Sequence, residues 1–172
     1  QRELDRLALV DEQIEEITRE RRQHQKQKQD ERARQVRQLC ALRGIGPESA
    51  WWLVGELFGW RQIRNRKQLA ALAGLTPTPY HSGEMQHDQG ISKAGNIRVR
   101  WIMTEIAWSW LRYQPHSELS QWFERRFGAG SARQRRIGIV ALARKLLIKL
   151  WQYLETASVP HGAVLSKQAA AA

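Results

Sequence analysis

The residues best suited to chemistry lie between Gly74 and Arg100, in the stretch GLTPTPYHSGEMQHDQGISKAGNIRVR. One hydroxyl, Ser82, stands beside Gly83, and the cations Lys93, Arg98 and Arg100 follow it, with Tyr80, His81, His87, Asp88, Ser92 and Asn96 interspersed. A serine near cationic side chains is what phosphate chemistry uses. The oxygen attacks phosphorus, and the positive groups hold the phosphate and offset the charge that develops. A plainer assignment stands beside this one. Ser82 is then a turn serine that satisfies backbone groups next to Gly83, and Lys93, Arg98 and Arg100 only bind phosphate. His81, His87 and Asp88 lack the spacing of a zinc site, and no metal ligand is assigned. Cys40, between Leu39 and Ala41 on an expected helix, reads as a buried and inert thiol.

A second stretch points the same way. In LRGIGPESA an apolar helix ends near Arg43, Gly44-Ile45-Gly46 turns the chain, and Pro47 suits the first position of a new helix, where its missing N–H costs nothing. Ala50, Leu53, Val54 and Leu57 then line one face. This is a helix-hairpin-helix pattern. Its glycines keep the turn clear, so that backbone N–H groups at the start of the second helix can meet a DNA phosphate. Ile45 is expected to plug into the core. Such contacts position a duplex without reading its bases. An ordinary pair of helices with glycines for geometry alone is the competing assignment.

The elements that must carry these residues are helical. Residues 1–38 contain no Gly or Pro, and Leu7, Val10, Ile14 and Ile17 repeat at the spacing of a coiled-coil seam, so a homo-oligomer through this arm is expected. The arm becomes basic from Arg19 to Arg37, a solvated face or one near a polyanion. A short helix over 67–73 ends at Gly74, a natural C-terminal residue. The polar stretch follows, with room for a short hairpin around 82–91. A helix over 96–113, capped by Asn96 or Ser92, is apolar on a broad face that includes Ile97, Trp101, Ile102, Ile106, Trp108, Trp110 and Leu111. A shorter one, with Leu119, Trp122, Phe123 and Phe127, follows Pro115. The last long helix, 131–155, has Ile137, Val140 and Leu146 on its apolar side, and its Arg135 and Arg136 are assigned to a nucleic-acid-facing side. The fold class is all-α, with an arm over 1–34, a compact helical domain over 35–158 holding the central Gly/Pro-rich loop, and an irregular tail over 159–172.

Charge narrows the partner. The chain has 172 residues, with 28 Lys plus Arg against 17 Asp plus Glu, a formal charge of +11. That surplus argues for nucleic acid. No stretch approaches the roughly 20 apolar residues that a bilayer needs, and a single cysteine fits a cytoplasmic setting. The eight tryptophans are expected at helix interfaces.

Taken in order, LRGIGPESA, RKQLAALAGLTPTPYHSG, GISKAGNIRVRWIM and IVALARKLLIKLW resemble the C-terminal domain of the insertion-sequence one-ten / one-sixteen / nine-oh-two group of transposases, over residues 35–155. The resemblance implies a recombinase whose N-terminal RNase-H-like domain, outside this sequence, holds Mg²⁺ through acidic residues. It implies that the serine of the SG pair, here Ser82, attacks DNA and forms a 5′-phosphoserine link. Lys93 and Arg98 fall on the family's basic positions and Gly44, Ile45 and Gly46 on its turn, and several members work with a structured guide (bridge) RNA. Where the family often has a second serine this chain has His81. The chain, beginning at Gln1 inside a periodic pattern, is expected to be a piece of a longer protein that binds DNA without cleaving it alone. A non-catalytic helix-hairpin-helix module is the alternative.

Overall fold

The computed structural model describes residues 1–26, 30–82 and 85–166, and the side chains of 25, 26, 78–82 and 85–89 fall outside that description. Among the described residues the architecture is helical, with one small antiparallel pair of strands. Helix α1 spans Arg2–Lys26 and α2 spans Glu31–Cys40. The arm is therefore two helices and not one. The second begins at Asp30, whose carboxylate accepts the Arg32 N–H at 2.9 Å and so caps the new helix. Helix α2 also stops at Cys40, three residues short of the expected end.

Helix α3, Pro47–Leu53, starts with Pro47 in the first turn, as its fixed φ favours. It widens into a π-helical turn over Val54–Phe58, closed by the Gly59 N–H on the Val54 carbonyl at 2.7 Å. Helix α4 is Arg66–Leu72, capped by Asn65. Strands β1, Pro77–Ser82, and β2, Met85–Ile91, form a hairpin where a loop dominates the sequence reading. Then come α5, Ile97–Tyr113, α6, Glu118–Phe127, and α7, Ala132–Thr156.

Helices α5 and α7 pack along each other, and α2, α4 and α6 all pack on α7. Leu39, Leu42, Leu53, Leu57, Leu69, Met103, Ile106, Leu142, Leu146 and Leu150 are fully buried between them. Trp110 joins this core, and its ring N–H reaches the Ser117 hydroxyl at 2.9 Å, which satisfies the one polar atom of a buried indole. The same hydroxyl accepts the Ser120 N–H and caps α6. Burial pushes the Cys40 thiol up to about 11, the protonation expected of an inert cysteine.

Two expectations about faces need correcting. Ile97, Trp101 and Trp108 do not pack inward. The buried side of α5 is Val99, Ile102, Met103, Ile106, Ala107 and Trp110, a spacing of three and four that turns the other three outward. On α7, Ile137 likewise points out, while Ile139, Leu142 and Leu146 face the core. Among the described residues Trp110 is the only fully buried tryptophan; Trp52, Trp60, Trp101 and Trp108 are exposed. The tail has no helix, yet its described part is not loose. Leu165 bridges Leu42, and the Ser166 N–H donates to the Ala41 carbonyl at 2.7 Å.

Candidate nucleic-acid interface and nucleophile loop

The hairpin is seated by backbone contacts between the segments on either side of it. Gly74 follows α4 in the left-handed region, φ 65°. From there the Lys93 N–H donates to the Gly74 carbonyl (3.3 Å), Ser92 to Thr76 (2.8 Å) and Asn96 to Leu72 (2.7 Å). The chain approaches so closely at Gly95 that a Cβ there would meet the Gly74 nitrogen, with Leu72 O at 2.5 Å and Ala73 C at 2.7 Å. Thus GLTP and SKAGN, far apart in sequence, form one clasp at the foot of the hairpin. Lys93 sits within it at φ 55°, a conformation uncommon outside glycine, and the Arg100 guanidinium donates to its carbonyl at 3.1 Å.

Strand β1 runs from the clasp to Ser82, whose backbone pairs with Met85, while Pro77 pairs with Ile91 at the foot. The hydroxyl of Ser82 and the side chains of His81, His87 and Asp88 lie outside the described residues. Among the described residues no group of three His, Cys, Asp or Glu side chains is placed to hold a metal ion.

Asn96 and Arg98 are engaged within the chain. The Asn96 carboxamide oxygen accepts from the Arg98 and Val99 N–H groups, capping α5, and its nitrogen donates to Glu56 at 2.8 Å. Arg98 donates to the other Glu56 oxygen at 3.0 Å and lies 5.7 Å over the Trp52 ring, although its side chain stays 66% exposed. The π-helical turn sets Glu56 against the start of α5. Hydrogen bonds from Asn96 and then from Arg98 hold its carboxyl below the usual range. The sign follows from that direction. A depressed folded pKa contributes stability above the unfolded value, about 4.3, and that contribution is lost as pH falls through the folded one. Glu56→Gln should lower stability at pH 7 by on the order of 1 kcal/mol or less, given its partly exposed partner. Thermal melts of both proteins should converge as the pH drops below that window. A gap that persists in acid would contradict the assignment.

The Gly44–Gly46 turn is held from behind. Gly44 adopts φ 95°, its carbonyl accepts the Ser109 hydroxyl at 2.7 Å, and Ile45 is buried. Gln114 ties the turn to the tail: its amide nitrogen donates to the Arg43 and Val164 carbonyls at 2.8 Å each, and its oxygen accepts the Val164 N–H at 2.8 Å. The outer side is open, with no atom within 4 Å of where a Gly46 Cβ would stand. Glu48 beside it pairs with Arg21 of α1 at 2.5 Å. Arg135 and Arg136 occupy another corner, where Arg135 donates to the Gly128 carbonyl at 3.4 Å and lies 6.0 Å from the Phe123 ring centre, while Arg136 is exposed. Leu7, Val10, Ile14 and Ile17 of the arm are all exposed. Glu56 and Gln114 join residues too distant in sequence for spacing to reveal them.

The Gly44–Gly46 turn, the clasp and the hairpin fall inside a recognised stretch. Residues 36–121, from α2 into α6, match the family model described as Transposase IS116/IS110/IS902 family. The chain is 52% identical over 128 residues to "Putative transposase y4rJ" of Sinorhizobium fredii, a match over 74% of this chain and 32% of that protein. It is 31% identical over 143 residues to "Transposase for insertion sequence element IS1328" of Yersinia enterocolitica, over 81% of this chain and 40% of that one. It is also 31% identical over 121 residues to "Probable family 20 transposase" of Pseudomonas aeruginosa, over 69% of this chain and 35% of the other. The class is thus that of the DNA transposases. Within it the chain belongs to the transposase IS116/IS110/IS902 family. It spans about a third of the length of these relatives. No helix among the described residues is long and apolar enough to cross a membrane.

Proposed function

We propose that this chain is the DNA-binding, nucleophile-bearing part of its transposase, with Ser82 as the attacking residue. The observation that carries the reading is the clasp: it fixes the foot of the hairpin that ends in Ser82 against the segment that bears Lys93, Arg98 and Arg100. Ser82 Oγ attacks the scissile phosphorus. An Oγ–P bond forms, the P–O3′ bond breaks, and the hydroxyl proton, taken up by a base or water, is returned to the 3′ oxygen, which leaves as a 3′-hydroxyl. One phosphoester replaces another, so the phosphoserine link keeps the bond energy for rejoining strands. Activation of the hydroxyl by Mg²⁺ on a separate RNase-H-like domain, pairing with a guide RNA, and assembly of copies through Leu7, Val10, Ile14 and Ile17 belong to the same proposal. The test is a nicked-DNA trapping assay on the full-length transposase, with its guide RNA and Mg²⁺, reading a denaturant-resistant adduct in wild type and in Ser82→Ala.

The turn at Gly44–Gly46 supplies duplex positioning in this reading, through backbone N–H groups at its open outer side. Gly46→Ala meets no atom of the chain, so its melting temperature should stay near that of wild type while a methyl group obstructs an approaching phosphate. Duplex affinity should fall by about tenfold, the loss expected for one or two backbone-to-phosphate hydrogen bonds. Unchanged affinity would assign the turn to geometry alone.

A further inference from the structure

Single exposed apolar side chains are ordinary on a protein surface, whereas several gathered on one face mark an interaction surface. Ile97, Trp101 and Trp108 recur at intervals of four and seven along α5, which sets them on one stripe opposite the buried Val99, Ile106 and Trp110. Trp101 is 65% exposed and Trp108 42% exposed. Neither ring has a ring or cation partner among the described residues. The stripe extends about 16 Å along the helix axis. At its start Arg98 lies over the ring of Trp52, itself part-exposed, and Glu56 anchors that guanidinium. At its far end stands Arg112. Arginines therefore stand at the two ends of the stripe, the exposed Glu105 lies between its two indoles, and the chain behind it carries a charge of +11.

Base faces suit this composition. Successive unpaired bases stack on aromatic side chains while arginines track the phosphates, and the bases of a duplex are not available for such stacking. An aliphatic seam such as that of α1 is the usual surface for another helix; the α5 stripe differs from it in being aromatic and flanked by arginine. Resting on the reading of the chain as a DNA-processing domain, we propose that Trp101 and Trp108, with Trp52 beside Arg98, form a stacking platform for the unpaired bases of a DNA strand. A strand of that kind arises wherever a transposase opens its substrate at the cleavage site.

The experiment uses this chain with a labelled oligo-dT, a duplex of equal length and an oligo-rU, measured by anisotropy at one salt concentration. Oligo-dT should quench tryptophan fluorescence. Trp101→Ala and Trp108→Ala should each weaken oligo-dT binding by roughly fivefold or more, the loss expected of one stacked base, with duplex affinity unchanged. Trp101→Phe should keep most of the binding. Full oligo-dT affinity in both alanine variants would overturn the proposal, as would equal losses on duplex, or tighter binding of oligo-rU than of oligo-dT. A change in oligomeric mass on light scattering with oligo-dT binding retained would overturn it in favour of a second copy of the chain as occupant. Adduct formation by the full-length transposase is scored in its own assay, so loss of the platform and loss of the serine chemistry are read separately.

Discussion

Gly95→Ala should melt well below the wild-type chain and should lose DNA cleavage more completely than DNA binding. The position has no room for a single added carbon. A Cβ there would collide with backbone atoms on the far side of the clasp, those of Gly74, Leu72 and Ala73, none of which can rotate away. The Asn96-to-Leu72 hydrogen bond at 2.7 Å must then lengthen or break, and the cap of α5 shifts with it. Overpacking typically costs about 1–3 kcal/mol, a drop in Tm of roughly 3–10 °C in a domain of this size. The functional loss should exceed what stability explains, because the foot of the hairpin is what the substitution moves. Differential scanning fluorimetry, with adduct yield measured on the full-length transposase, checks both parts. Native Tm and native yield together would mean that the two segments are not mechanically joined.

Much of the scaffold was legible because it is written in local chemistry. Gly46-Pro47 marks the start of one helix, Gly74 the end of another, Asn96 a cap and Pro115 a break, and each does so through backbone constraints that act within a few residues. Ile45, a lone large apolar residue between two glycines, had few places to go but inward. Local signals were also missed. Asp30 is a good N-cap within an unbroken polar run, so the end of α1 and the start of α2 were not separated. Ser131 and Gln134 form a capping box that spacing alone would reveal. The face of α5 was misread for a different reason: apolar residues occur nearly all round it, so type could not decide which side is buried, and packing on α7 did.

The candidate site was legible only in its parts. The cationic residues and the serine could be picked out by type, and their order matched a known family. That Gly74 and Gly95 touch, that Glu56 neutralises Arg98 and holds Asn96, and that Gln114 ties the Arg43 carbonyl to the tail are contacts across 40 or more residues of sequence in two of the three cases. Spacing carries no trace of such contacts. The consequence for the site is specific: Asn96 serves as a cap, and the Arg98 guanidinium is already shared with Glu56.

The largest effect expected of any single substitution is at Ser82. Ser82→Ala removes one oxygen from the end of β1 and leaves the clasp, the α5 cap and the Gly44–Gly46 turn as they are. Binding to duplex should be unchanged, since no phosphate-holding cation is touched. Formation of the covalent link should be abolished, because no neighbouring hydroxyl replaces the lost one: position 81 is His and position 83 is Gly. Ser82→Cys is the informative companion. A thiolate is an intrinsically strong nucleophile, and a sulfur-linked adduct at the same position would identify the attacking residue directly.

The decisive measurement is therefore peptide mapping by mass spectrometry of the adduct trapped on nicked DNA with the full-length transposase, its guide RNA and Mg²⁺. The account predicts a nucleotide attached to the peptide that contains Ser82, and no adduct in Ser82→Ala with duplex affinity retained. An adduct on another residue, or one that persists in Ser82→Ala, would contradict it.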